Sequence, residues 1–295
     1  MLLLLLLAAC TPAAPPPGGE PAPAAANHAT YGTDAHLAPS APDAVLRYAD
    51  HPRGFAELRL PDGAKKGGGP FPLAVIFHGG CWKTGIASQA YMAPLATRWQ
   101  SLGIATLNVD YREVGDGGGW PGSFEDWAAS ARLIEQVAAR YPIGRDRVTL
   151  VGHSAGALPA LWLARADGHA GPLGARALIR ARAAIVLDGP GDVGAEAAAF
   201  DNLCQFAATA PFIGTAPGRS AAISPAAAAP QLAQILFVQA KLPAPAAATL
   251  AALAGKGRGV TVRENPGASH FAIITPGNPA YTANEPAMLT VLKGE

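Results

Sequence analysis

Residues 148–164 read VTLVGHSAGALPALWLA. The opening run of β-branched and apolar residues is the pattern of a strand buried on both faces. The closing part, Ala155 to Ala166, can continue directly as a helix, with Pro159 in its first turn, where the missing N–H costs little. Between them stands Gly-x-Ser-x-Gly, with Ser154 at its centre. Strand, then Gly-x-Ser-x-Gly, then helix is the context of a nucleophile elbow, a sharp strained turn that lifts a serine above a sheet. Gly152 and Gly156 leave room for that turn. The competing reading is a plain strand-to-helix turn with Ser154 as its cap, and the three-part context argues against it.

The alternation extends along the chain. PLAVIFHGG (residues 72–80), GIATLNVDYR (103–112), AAIVLDG (183–189) and QILFVQA (234–240) are further buried strands, with GVTVRE (259–264) as the last. Val45–Tyr48 and Phe55–Leu60 are expected as leading strands. Helical spacing falls on Ser88–Ser101, on Ser123–Arg140 through Phe124, Trp127, Ala131, Ile134 and Val137, on residues 244–254, and near Glu285–Leu292. Ser123 suits an N-cap, with Asp126 in the first turn against the helix dipole. Strands alternating with helices predict an α/β domain with a mostly parallel sheet flanked by helices. Residues 190–225 interrupt the alternation after the sixth strand. They are expected to form a short cap over the C-terminal strand ends, where open α/β sheets bind ligands.

HGGCW, His78 to Trp82, closes an earlier strand. Consecutive glycines there let backbone N–H groups point inward, as an acyl-transfer site requires for a developing oxyanion. Gly80 and Cys81 are the expected donors, with Ala155 N–H as the third. Trp82 beside them is expected to line the acyl pocket. Trp120, Trp127 and Trp162 read as core or pocket wall, and Asp126 as a partner for the Tyr111–Arg112 segment. No His, Cys or carboxylate cluster has metal-ligand spacing, and no dinucleotide or P-loop motif is present, so no cofactor is expected.

With FHGGCW (77–82), VDYR (109–112), WPGSFEDW (120–127), GHSAG (152–156) and GASHFAIITP (267–276) together, the chain resembles the α/β-hydrolases over roughly Ala44 to Leu292. Within them it is most similar to esterases with an HGG-x-W loop, a group that includes bacterial acyl esterases, feruloyl-esterase-like enzymes and kynurenine formamidases. The resemblance implies a histidine after the last strand, hence His270 as general base toward Ser154 and then general acid. His78 and His153 are expected to pack or hydrogen-bond. It also implies an acid after QILFVQA, but no carboxylate occurs between Asp201 and Glu264. Three candidates stand elsewhere. Asp188, closing AIVLD, ranks first; Glu264 and Asp192 follow. A fourth alternative is that the acid is absent. The implied activity is hydrolysis of a small carboxylic ester through an acyl-enzyme. Formamide or other amide hydrolysis on the same site is one alternative; a weak or non-catalytic binding protein is another.

Half of the 295 residues are apolar, 15% are charged, and the net charge is +1, so the basic face that nucleic acid requires is not indicated. MLLLLLLAAC (1–10) is too short to span a bilayer, which takes about 20 residues, and reads as a secretory signal. Leu7-Ala8-Ala9-Cys10 resembles the bacterial lipobox, although no Lys or Arg precedes the leucines. The expected organisation is a signal peptide over 1–9, a lipidated Cys10 with a Pro/Ala-rich tether over 10–30, and the hydrolase domain over 31–295. That would anchor the protein to a membrane of the bacterial cell envelope, on the periplasmic side. Cys81 and Cys204 remain in the domain. In an oxidising compartment they can pair, or they can be two buried thiols.

Overall fold

The computed structural model describes residues 37–165, 181–255 and 259–295. The expected signal segment, Cys10 and the tether lie outside the described residues. Strands β1 (Ala44–Arg47), β2 (Phe55–Arg59), β3 (Phe71–Phe77), β4 (Ala105–Val109), β5 (Ile143–His153), β6 (Ala183–Leu187), β7 (Gln234–Gln239) and β8 (Gly259–Glu264) form one sheet. Its order is β1-β2-β4-β3-β5-β6-β7-β8. β1 and β2 pair antiparallel with their neighbours, and every pairing from β4 across to β8 is parallel. The helices are α1 (Asp62–Lys65), α2 (Ala93–Ser101), α3 (Gly122–Arg140), α4 (Ala157–Trp162), α5 (Ala197–Cys204), α6 (Thr209–Ile213), α7 (Arg219–Ile223), α8 (Ala247–Ala254) and α9 (Pro279–Lys293).

The unbroken apolar runs follow from this layering. In β3, Leu73, Val75 and Phe77 face a core shared with Phe124, Trp127 and Ile134 of α3. Ala74 and Ile76 face the opposite core, with Leu95 and Trp99 of α2 and Met288 and Val291 of α9. Strand side chains alternate between faces, so a strand covered on both sides must be apolar throughout.

Register sets the height of the functional positions. Gly152 pairs with Val186 and His153 with Leu187, so Ser154 and Asp188 leave neighbouring strands side by side. Asp188 N–H donates to Val238 O at 2.8 Å, which brings the end of β7 alongside.

The cap after the sixth strand consists of α5, α6 and α7. Only Phe200 is buried in α5. One buried aromatic contributes about 1.5–3 kcal/mol, which is little to hold a helix. A disulfide between Cys81 and Cys204 adds to it, with Cα atoms 6.0 Å apart and a sequence separation of 123. Closing a loop of that length stabilises by about 5 kcal/mol in the chain-entropy account. The disulfide therefore adds to the burial of Phe200 in α5 and of Phe212, Ile213 and Ile223 elsewhere in the cap.

Three local expectations are corrected. Ser123 is not the N-cap of α3, which starts at Gly122 after Pro121. Its hydroxyl donates to Arg112 O at 2.6 Å and accepts from Gly119 N–H at 2.9 Å, so tertiary bonds claim it. The helix expected over Ala155–Ala166 is a 3-10 turn over Ser154–Gly156 followed by α4, which ends at Trp162. Beyond it Ala164 O accepts from Gln231 N–H, and the chain leaves the helical path. The last helix starts at Pro279, earlier than its apolar spacing indicates, because Asn278 caps it through Ala280 N–H.

Candidate active site

Ser154 sits at φ +55, in the left-handed region, and is buried. A non-glycine residue is costly there, and such strain collects at functional turns. The flanking glycines are sterically required. A Cβ on Gly152 would stand 2.0 Å from Gly156 O, and one on Gly156 would stand 2.1 Å from Phe77 O.

The HGGCW loop packs directly on this turn. A Cβ on Gly79 would lie 2.7 Å from Ser154 Cβ, so residue 79 must be glycine for the loop to approach. Gly80, Cys81 and Trp82 follow in succession with φ +115, +53 and +53. Among the described residues, neither Gly80 N–H nor Cys81 N–H donates a hydrogen bond. Trp82 does not line the cavity in front of Ser154, contrary to expectation. It is fully buried, stacked on Phe212 at 4.4 Å and against Phe200 at 4.7 Å. Its indole N–H donates to Ala155 O at 3.0 Å, tying the loop to the elbow from beneath. Packing against two cap aromatics, one stacked and one tilted, holds the ring inward.

His270 follows β8, and its Nδ1–H donates to Asp188 Oδ2 at 2.7 Å. Asp188 is completely buried. Its carboxylate also accepts from Ala240, Lys241 and Leu242 N–H at 2.8–2.9 Å. Burial pushes this carboxyl upward. The bond and charge of His270 and the backbone N–H groups of Ala240 and Lys241 outweigh it and hold the group below the ordinary carboxylate value. The segment after QILFVQA thus supplies no carboxylate of its own; its amides bind the carboxylate at the end of the neighbouring strand. The other two candidates lie apart. Glu264 is exposed at the end of β8. Asp192 accepts from Gly194 and Ala195 N–H and from Ser224 Oγ, which makes it a fastener of the cap.

His153, next to Ser154, belongs to a buried chain of hydrogen bonds. Gly79 N–H donates to Tyr91 Oη, and Tyr91 Oη–H donates to His153 Nδ1 at 2.8 Å. His153 Nε2–H donates to His270 O at 3.1 Å. A carbonyl can only accept, which assigns the tautomer. Burial first, and the His270 ring second, pull the His153 pKa from 6.5 down to about 3, so it stays neutral. The chain links the HGGCW loop to the backbone of His270. Sequence reading missed Tyr91, because SQAYMAP carries no motif and its role depends on three separate loops meeting. His78 is held elsewhere: its ring nitrogens lie 2.6 Å from Gly79 O and 3.0 Å from Asp110 Oδ1, and the ring stacks on Tyr111.

A second polar cluster lies under the loop. Arg53 pairs with the buried Glu113 and lies 3.2 Å from Asp116 and 3.6 Å from Asp110. Among the described residues Glu113 Oε1 has no hydrogen-bond partner. Asp126 of α3 accepts from Arg112 N–H at 2.8 Å and pairs with its guanidinium, as expected.

Ser154 and His270 line one cavity of about 270 Å³ with Gly80 and Cys81. Its other walls are largely apolar, among them Ile86, Tyr91, Leu203, Phe206 and Phe271. Among the described residues Ser154 Oγ makes no direct hydrogen bond to His270; a hydrogen bond between a nucleophile and its base often forms or tightens only with substrate in place. Among the described residues no group of three His, Cys, Asp or Glu side chains could hold a metal ion.

A family model described as BD-FAE matches residues 59–174. No match is found among curated protein sequences. The chain is similar in structure to the thermophilic esterase Est2 of the Planctomycetes species Thermogutta terrifontis, with TM-score 0.64 and 19% identity over 84% of this chain and 90% of that one. It is similar to esterase B of Lactobacillus rhamnosis, with TM-score 0.66 and 16% identity over 87% and 89%. A truncated carbohydrate esterase from gut microbiota gives TM-score 0.63 and 19% identity over 88% and 99%. The sheet order, the flanking helices and these likenesses establish the α/β-hydrolase fold.

Proposed function

We propose that the chain is a serine hydrolase that cleaves carboxylic esters through an acyl-enzyme. Ser154 Oγ attacks the ester carbonyl while His270 Nε2 takes its proton. The N–H groups of Gly80, Cys81 and Ala155 stabilise the oxyanion. The intermediate collapses, His270 returns the proton to the departing alkoxide, and the acyl group remains on Ser154. Water then repeats the sequence and releases the acid. Asp188 fixes the His270 tautomer and stabilises the imidazolium.

The observation that carries this reading is the bond from His270 Nδ1 to a buried, amide-bound Asp188 at 2.7 Å, beside a serine in a strained elbow. An acid so placed weighs against a scaffold that has lost its chemistry. The esterases named above support the ester class, and a family match over residues 59–174 supports it independently. Hydrolysis of p-nitrophenyl acetate by the wild type and Ser154→Ala tests it. The variant is expected to lose activity by at least about 10³-fold; equal rates would sink the proposal.

The same reading keeps the protein in the bacterial cell envelope, anchored through Cys10. The Cys81–Cys204 disulfide supports an oxidising compartment, since such bonds are rare where thiols are kept reduced. Metabolic palmitate labelling that survives Cys10→Ala would refute the anchor.

A further inference from the structure

A second cavity, of about 310 Å³, lies beside the Ser154 cavity of about 270 Å³. Cys81 and Phe206 line both. The cap strip running from the last turn of α5 changes sides at Phe206: Leu203, Cys204 and Gln205 face the Ser154 cavity, while Ala207 and Ala208 face the second. Phe206 is thus the point at which one wall separates two spaces.

The wall is held from three directions. The disulfide ties the strip to Cys81 on the loop in front of Ser154. Gln205, in the left-handed region at φ +62, turns the chain so that Phe206 follows directly. From the side of the second cavity, the Lys83 ammonium sits 4.8 Å from the centre of the Phe206 ring, close enough for a cation–π contact. The walls of the Ser154 cavity are mostly aliphatic and aromatic, so it discriminates among ester groups by volume more than by hydrogen bonding.

We propose that Phe206, braced by the Cys81–Cys204 disulfide and Lys83, is the specificity-determining wall of the site. It restricts the enzyme to esters with small acyl groups, and the second cavity is pocket space that the wall closes off. This rests on the esterase reading. Removing the ring joins the two cavities and about doubles the space available to an acyl chain. Releasing Cys204 loosens the same wall without touching the ring.

The test compares kcat/KM for p-nitrophenyl butyrate and octanoate in the wild type, Phe206→Ala and Cys204→Ala. The wild type favours butyrate. Phe206→Ala raises the octanoate-to-butyrate ratio at least tenfold, and Cys204→Ala raises it by a smaller factor. An unchanged ratio in Phe206→Ala, with native near-ultraviolet circular dichroism, overturns the wall. Calorimetric binding of butylboronic and octylboronic acid to the same proteins separates the wall from the reaction. If no ester is turned over but Phe206→Ala alone gains affinity for the octyl probe, the esterase reading fails and the wall stands. Equal binding of the octyl probe to wild type and Phe206→Ala, or no binding of either probe, overturns the wall.

Discussion

Asp188 and Glu113 are both wholly buried carboxylates near the same loop, and they are treated in opposite ways. Asp188 accepts three backbone N–H bonds and one from His270, and its pKa falls despite the burial. Glu113 has one guanidinium, one oxygen without a partner, and Asp110 and Asp116 nearby. Burial pushes its pKa well up, Arg53 opposes that only in part, and the two aspartates add to the rise. Burial alone therefore does not decide ionisation; the number of donors aimed at the charged form does. The carboxylate beside His270 has four donors aimed at it, and the one that props a loop has a single guanidinium.

The largest effect expected from breaking this contrast is on Asp188→Asn. Its loss of tautomer control should lower kcat on p-nitrophenyl acetate by about 10³–10⁴-fold. Glu264→Gln is expected to retain activity, and the reverse result would move the acid role to Glu264. Tyr91→Phe comes next. It leaves Gly79 N–H and His153 Nδ1 unpaired, a penalty of about 1–3 kcal/mol per buried group. The expected outcome is a fall of about tenfold in kcat with little change in KM, measured by steady-state kinetics.

His153 makes a pH prediction. Its pKa is 6.5 ordinarily and about 3 in the folded protein, so between those values the unfolded chain binds more protons. Its contribution to stability is therefore complete above pH 6.5 and is lost as the pH falls toward 3. The slope is at most about 1.4 kcal/mol per pH unit. Urea melts at pH 7 and pH 5 should show it in the wild type and a shallower slope in His153→Gln. Glu113→Gln should have the smallest effect, under about tenfold on kcat/KM, since Glu113 touches no reacting atom. A raised carboxyl pKa makes the charged form a burden in the fold as pH rises. The variant should therefore gain stability relative to wild type on going from pH 4 to pH 8, and a relative loss would contradict the contrast with Asp188.

Much of the fold was legible because period and punctuation are local. Doubly buried strands must be apolar on both faces, and Gly152 and Gly156 are required within five residues of each other by steric contact. The failures were local too. Ser123 has the chemistry of a cap, but a hydroxyl serves whichever partner the tertiary structure presents, and here that is Arg112 O and Gly119 N–H. Trp82 looked like lining of the Ser154 cavity because it follows HGG, yet it packs on the cap aromatics Phe200 and Phe212, far along the chain, and borders the second cavity instead.

By itself the sequence determined the strand–elbow–helix unit around Ser154, the Gly79–Gly80 turn and the α/β layering, since each follows from side-chain size and apolar period over a few residues. Only the tertiary structure decided what stands behind His270 and what closes the cavity. KLPAPA contains no acid, and nothing in its letters says that the amides of Lys241 and Leu242 turn toward Asp188, which leaves β6 next door. Cys81 and Cys204 could have been two thiols until folding brought their Cα atoms to 6.0 Å across 123 residues. Both outcomes depend on long-range register, which no local pattern encodes.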